Sequence, residues 1–123
     1  MGGFGRSAKN MQSLIKQNAQ HIRDLHKKMH TAFHVKPHSI EHKQACDKFH
    51  SSYDSLAFPG GYELGIKKLT NCDSSTIETA LCFLEVKPYF FRSQYMRTKL
   101  TRLLKKVELT KTQQTRFNKI LKR

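Results

Sequence analysis

Wound at about 100° per residue, the segment from Met11 to Phe33 gathers Met11, Leu14, Ile15, Ile22, Leu25, Met29 and Phe33 onto roughly a 100° arc. That is the pattern of one long amphipathic helix. Pro37 interrupts it, and Ser39 is placed to cap a second helix whose inner face holds Cys46, Phe49, Tyr53 and Leu56. The stretch FPGGYELG then breaks the period with Pro59, Gly60, Gly61 and Gly65. With no strand before them and no GK[ST] ending, these glycines predict a bend between helices rather than a phosphate loop. Tyr62, Ile66 and Leu69 recur at helical spacing beyond the bend, although Gly65 lowers the helical tendency of that segment.

Ser75 and Glu78 have the spacing of a capping box ahead of Ile77, Leu81 and Leu84, and Pro88 closes the helix so begun. In YMRTKLTRLLKKV the residues Met96, Leu100, Leu103, Leu104 and Val107 share one arc. Thr110 and Gln113 offer a second capping box, ahead of Phe117, Ile120 and Leu121. The turn around Glu108 to Thr110 is short enough to pair the last two helices antiparallel. No segment alternates as a strand does. The expected fold is therefore all-α: a compact single domain over 1–123 with five or six helices, arranged as a bundle or a short stack of helical hairpins. Residues 1–9 are expected to form a flexible N-terminus and 87–123 a strongly basic helical hairpin.

Composition supports a folded chain, since eight Phe, four Tyr and many Leu and Ile supply core material at an apolar content of 37%. Cys46, Cys72 and Cys82 form no CxxC pair, and an odd number leaves one thiol unpaired in any disulfide scheme. A reducing, cytoplasmic setting is expected on that ground. Apolar runs are too short to cross a membrane, and MGGFGRSAKN lacks the apolar core of a signal peptide. Gly2 is not followed by the Ser or Thr that myristoylation requires at the sixth position, where Arg6 stands.

Charge changes the picture more than composition does. The chain carries a formal +14, and from Lys87 onward twelve Lys or Arg face the single acid Glu108. Solvated helix faces ordinarily mix signs to form i,i+4 pairs, so a face with almost no acids calls for a polyanion. On helical wheels Lys99, Arg102, Lys105 and Lys106 lie opposite one apolar arc, with Arg97 to the side, and Lys111, Arg116, Lys119 and Lys122 lie opposite the next. Upstream, KPYFFRSQYMR interleaves Tyr89, Phe90, Phe91 and Tyr95 with Arg92 and Arg97, a mixture that could stack on bases and neutralise phosphates. The more conservative expectation puts Phe90 and Phe91 in the core and only the tyrosines near the surface.

Metal-capable side chains recur at every fourth position from His26 through His30, His34, His38, His42 and Cys46 to His50. Each four-residue step on a helix drifts by about 40°, so His26, His30 and His34 turn progressively toward solvent, and Pro37 breaks the register before His38. The tightest subset, His42, Cys46 and His50, spans too wide an arc to converge without further ligands. A buried Cys46 beside two boundary histidines is the expected arrangement; no metal and no cofactor is predicted.

Nine scattered acids, with Asp24, Glu41, Asp47 and Asp54 on outward positions, give no carboxylate pair for catalysis. The functional expectation is a non-catalytic protein that binds nucleic acid, RNA or DNA, mainly through phosphates. The binding residues are Arg92, Arg97, Lys99, Arg102, Lys105, Lys106, Lys111, Arg116, Lys119 and Lys122, with stacking at Tyr89 and Tyr95. Two alternatives stand beside it. One is an adaptor or inhibitor docking on an acidic protein. The other is a small metal-independent ribonuclease using His26 or His50 with Arg92 and Tyr95.

Overall fold

A computed structural model of the protein describes residues 8 to 122. Six helices make up its regular structure: α1 (Ala8–Val35), α2 (Ile40–Ala57), α3 (Tyr62–Thr70), α4 (Ser74–Val86), α5 (Ser93–Leu104) and α6 (Lys111–Leu121). The fold is all-α, with no strand among the described residues. Of the expected flexible N-terminus, Ala8 and Lys9 belong instead to the first turn of α1, and residues 1–7 lie outside the described residues. No helix among the described residues is long and apolar enough to cross a membrane.

The long stripe on α1 buries Ile15, Ala19, Ile22 and Leu25 and packs mainly on α2, forming a helical hairpin whose other face meets α4. Phe33, assigned to that stripe by its spacing, lies 41% exposed at the hairpin tip, where α1 has run past the core and His34 and His42 flank its ring. Ser39 caps α2 as its position requires, its hydroxyl accepting from His42 N at 3.1 Å. The bend that follows is a turn in which Gly61, at φ 97, donates its amide to Phe58 O and starts α3. Asp54 accepts from Glu63 N at 3.0 Å and satisfies one of the first amides of that short helix.

Helix α4 is the centre of the molecule. It contacts α1, α3, α5 and α6, and buries eight residues from Thr76 to Leu84, with Ala80, Leu81, Cys82 and Phe83 fully enclosed. Burying a Leu or Phe side chain contributes about 1.5–3 kcal/mol, so this one helix anchors a large part of the hydrophobic stabilisation. Its cap is not the expected Ser75–Glu78 box. Asp73 sits at the N-cap, and its carboxylate accepts from both Thr76 N (2.9 Å) and Thr76 Oγ1 (2.7 Å). Those two bonds hold the Asp73 carboxyl below the ordinary carboxylate range. The Thr110–Gln113 box at the start of α6 is present with both reciprocal bonds.

Helices α5 and α6 each pack on α4 rather than on one another. Met96, Leu100 and Leu104 from α5 and Phe117 from α6 reach the same core as α1 and α4. The basic C-terminal segment is thus two arms laid on a central helix, not a closely packed hairpin. An open cleft remains between the arms.

Candidate polyanion interface

That cleft encloses ≈ 420 Å³ and has Leu84 and Ile120 among its lining residues. Lys87 from the end of α4, Arg97 and Arg102 from α5 and Lys105 beyond it supply its charge, and Gln94, Thr98 and Thr101 complete the lining. No carboxylate lines it. Arg92, Arg102, Lys105, Lys106, Lys111, Lys119 and Lys122 are all exposed. Lys87 is an addition that the sequence did not single out, because its side-chain direction follows from its left-handed backbone (φ 53) rather than from any helical register.

Three of the expected binding residues have other roles. Lys99 is half-buried because α3 leans on that side of α5, where Tyr62, Glu63, Ile66, Lys67 and Tyr95 form a shallow hollow around it. Arg97 spends one end of its guanidinium on Pro88 O (2.9 Å) and another on Gln94 Oε1, while still lining the cleft. Arg116 turns inward. It grips Glu85 through Nε (2.9 Å) and Nη2 (2.7 Å), pairs with Glu78 through Nη1, and touches Cys82 Sγ at 3.5 Å. Its guanidinium, 21% exposed, is committed to the α4–α6 contact and is withdrawn from the surface. The charge-assisted bonds to Glu85 and Glu78 raise its pKa further above the ordinary value, and burial raises that of the Cys82 thiol.

The aromatic segment between α4 and α5 is held from three directions. Pro88 O accepts from Arg97 on α5, Tyr89 O from Arg23 on α1 (2.6 Å), and Phe91 O from Tyr53 on α2 (2.5 Å). Ser93 closes the turn by accepting from Phe90 N at 3.1 Å. Lys87 and Arg92 bracket the segment in the left-handed region, at φ 53 and 67, a conformation that costs a residue with a side chain about 1–2 kcal/mol. Within the brackets burial alternates: Pro88 and Phe90 are buried, and Tyr89 (77% exposed) and Phe91 (44%) are exposed. Phe90 is core, as expected, but Phe91 is not. Its ring is stacked by His26 (centroids 5.4 Å, planes 24° apart), and the Arg92 guanidinium lies 5.3 Å from its centroid. Tyr95, on the first turn of α5, is 65% exposed.

The histidine series disperses along the α1–α2 hairpin. His26 packs among Phe49, Phe91 and His30, His30 stacks on His34, and His50 contacts Phe49 from the exposed side. His42 is the best fixed. Its Nδ1 accepts from the His38 backbone amide at 3.1 Å, which places the neutral-ring proton on Nε2, 3.4 Å from Cys46 Sγ. In that tautomer the imidazole faces the sulfur with a hydrogen rather than a lone pair. Among the described residues no three His, Cys, Asp or Glu side chains converge on a point that could hold a metal ion. Of the ribonuclease set, His26 and Arg92 meet around Phe91, whereas Tyr95 belongs to the hollow with Tyr62 and Lys99.

No protein-family model, no curated protein and no solved structure matches the chain.

Proposed function

We propose that the protein binds nucleic acid through its phosphates, on the face formed by α5, the outer side of α6 and the cleft they share with α4. One observation carries the reading: Lys87, Arg97, Arg102 and Lys105 line a single cleft with no carboxylate among them. Like charges gathered in a concave site repel one another and raise the local potential, so a polyanion is the ligand that relieves the arrangement. Phosphates fit because cations on flexible stems neutralise a backbone without reading bases.

Unrelated RNA and DNA oligomers, titrated at two ionic strengths, test this directly. Engagement of about four phosphates by the cleft corresponds to a loss of affinity between 50 and 200 mM salt of roughly 150-fold for a duplex and about 50-fold for a single strand, with little dependence on sequence. Reversing Arg102, Lys105 and Lys106 to Glu alters exposed positions, so it should keep the protein folded, lowering the melting temperature by several degrees through the charge reversal at the end of α5, while abolishing binding at the higher salt. No binding at low salt would sink the reading and turn the search to an acidic protein.

A further inference from the structure

We infer that the nucleic acid is single-stranded, and that Tyr89 and Tyr95 are the surfaces on which its bases stack. This rests on the phosphate-binding reading above and narrows it to one class of ligand.

The segment from Lys87 to Arg92 is unusually well fixed for a connection that exposes large aromatic rings. Arg23, Tyr53 and Arg97, from three different helices, each take one of its carbonyls. The two ends adopt left-handed backbone without glycine. Such fixation costs stability and exposes apolar surface, so it points to a task for the rings that are held out. Phe91 does not present a free face, since His26 and Arg92 already lie against it; it braces the segment. Tyr89 and Tyr95 are the most exposed of the four tyrosines and, among the described residues, have no ring or guanidinium stacked on them.

Position joins these rings to the charge. Tyr89 follows Pro88, whose carbonyl is held by the same Arg97 that lines the cleft. Tyr95 lies on the exposed arc of α5, about 20° around the helix axis from Arg102, two turns away. A strand whose phosphates follow Lys87 and Arg102 has Tyr89 two residues along the chain from the first cation and Tyr95 on the same arc of α5 as the second. In a duplex the bases are paired and stacked inside, out of reach of a tyrosine; in a single strand every base has an open face. Rings carried on a fixed backbone accept such a base with little further loss of backbone freedom.

The test compares a labelled 15-nucleotide oligo-dT strand with a hairpin duplex of similar charge, by fluorescence anisotropy at low salt. Wild-type protein should prefer the single strand. Tyr89→Ala and Tyr95→Ala should each weaken single-strand binding by about 5- to 150-fold, the equivalent of ~1–3 kcal/mol per stacked base, and leave duplex binding within about twofold. Tyr89→Phe and Tyr95→Phe keep the ring and should restore wild-type affinity. Because the chain has no Trp, quenching of its tyrosine emission on adding the strand gives a second readout, which should diminish in both Ala variants. Equal binding of strand and duplex, or Ala variants that bind the strand as wild type does, would overturn the stacking inference while leaving phosphate binding intact. Failure of wild type to bind either ligand would remove both.

Discussion

Replacing Arg116 by Met separates a cation that holds the fold from those that face the solvent. The substitution keeps most of the stem and removes the guanidinium, leaving Glu78 and Glu85 on the same face of α4 without their shared partner. Charge-assisted hydrogen bonds contribute about 1.5–3 kcal/mol each when sheltered. Glu85 is 21% exposed and held by two bonds, so its arm keeps most of that value, about 1.5–2 kcal/mol. Glu78 is 43% exposed and is partly rehydrated once released, so its arm contributes ~0.5–1 kcal/mol. The sum, about 2–3 kcal/mol, lowers the melting temperature by roughly 8–12 °C for a domain of this size. Thermal melts followed by far-UV circular dichroism read this directly, and a double-mutant cycle with Glu85→Gln should return a coupling of ~1–2 kcal/mol. Nucleic-acid affinity, measured well below the melt, should change far less in Arg116→Met than in Arg102→Met. A melting temperature within about 2 °C of wild type, or an affinity loss as large as that of Arg102→Met, would refute the assignment of Arg116 to the α4–α6 contact.

Asp73→Ala should lower the melting temperature at neutral pH, because two bonds to Thr76 are lost at the start of the central helix. The folded-state pKa of Asp73 is depressed, so its contribution is present above the ordinary carboxylate range and disappears as pH falls through the lowered value. Wild type and variant should therefore converge in acid, and a difference that persists there would contradict the cap. Gly65→Ala would set a Cβ 2.8 Å from Cδ2 and Cε2 of Phe58, a ring buried against Phe83. The gain in helix propensity, ~1 kcal/mol, should be outweighed by overpacking of about 1–3 kcal/mol, and a variant more stable than wild type in urea would show that Phe58 yields freely.

Local spacing carried most of the helices, because each buried stripe repeats within its own segment: Ile15, Ala19, Ile22 and Leu25 on α1, or Met96, Leu100 and Leu104 on α5. Caps were legible where one candidate stood alone, as at Ser39 and Thr110. Ahead of α4 the cap went not to the expected Ser75 but to Asp73, whose carboxylate takes the Thr76 amide and hydroxyl together, a geometry that spacing does not encode. The role of Arg116 was beyond sequence reasoning for a different reason. Its partners lie 31 and 38 residues away, on a helix whose contact with α6 only the tertiary fold creates. Phe91 was misassigned because two adjacent phenylalanines look alike in composition. Which of them is buried depends on how the chain bends between Pro88 and Ser93, and that path is held by Arg23, Tyr53 and Arg97 from outside the segment.

Where several of the acids are held limits how much carboxylate reaches the positive face. Asp54 and Asp73 are held by backbone amides at the starts of α3 and α4, and Glu78 and Glu85 are engaged by Arg116. Carboxylates fixed in this way cannot swing across to neutralise α5 and α6, whose segment contains only Glu108. Some of the cations there benefit from their positions: Arg102 in the last turn of α5 and Lys105 at its end complement the negative end of the helix dipole. Lys111 does not. It opens α6, whose first turn contains no acid, and a cation near a helix N-terminus forfeits about 0.3–1 kcal/mol. Helix stability alone would favour Asp or Glu at that position. A cation placed against the dipole, next to others with no ion pair among the described residues, gains nothing from the fold there and fits the polyanion-binding face proposed above.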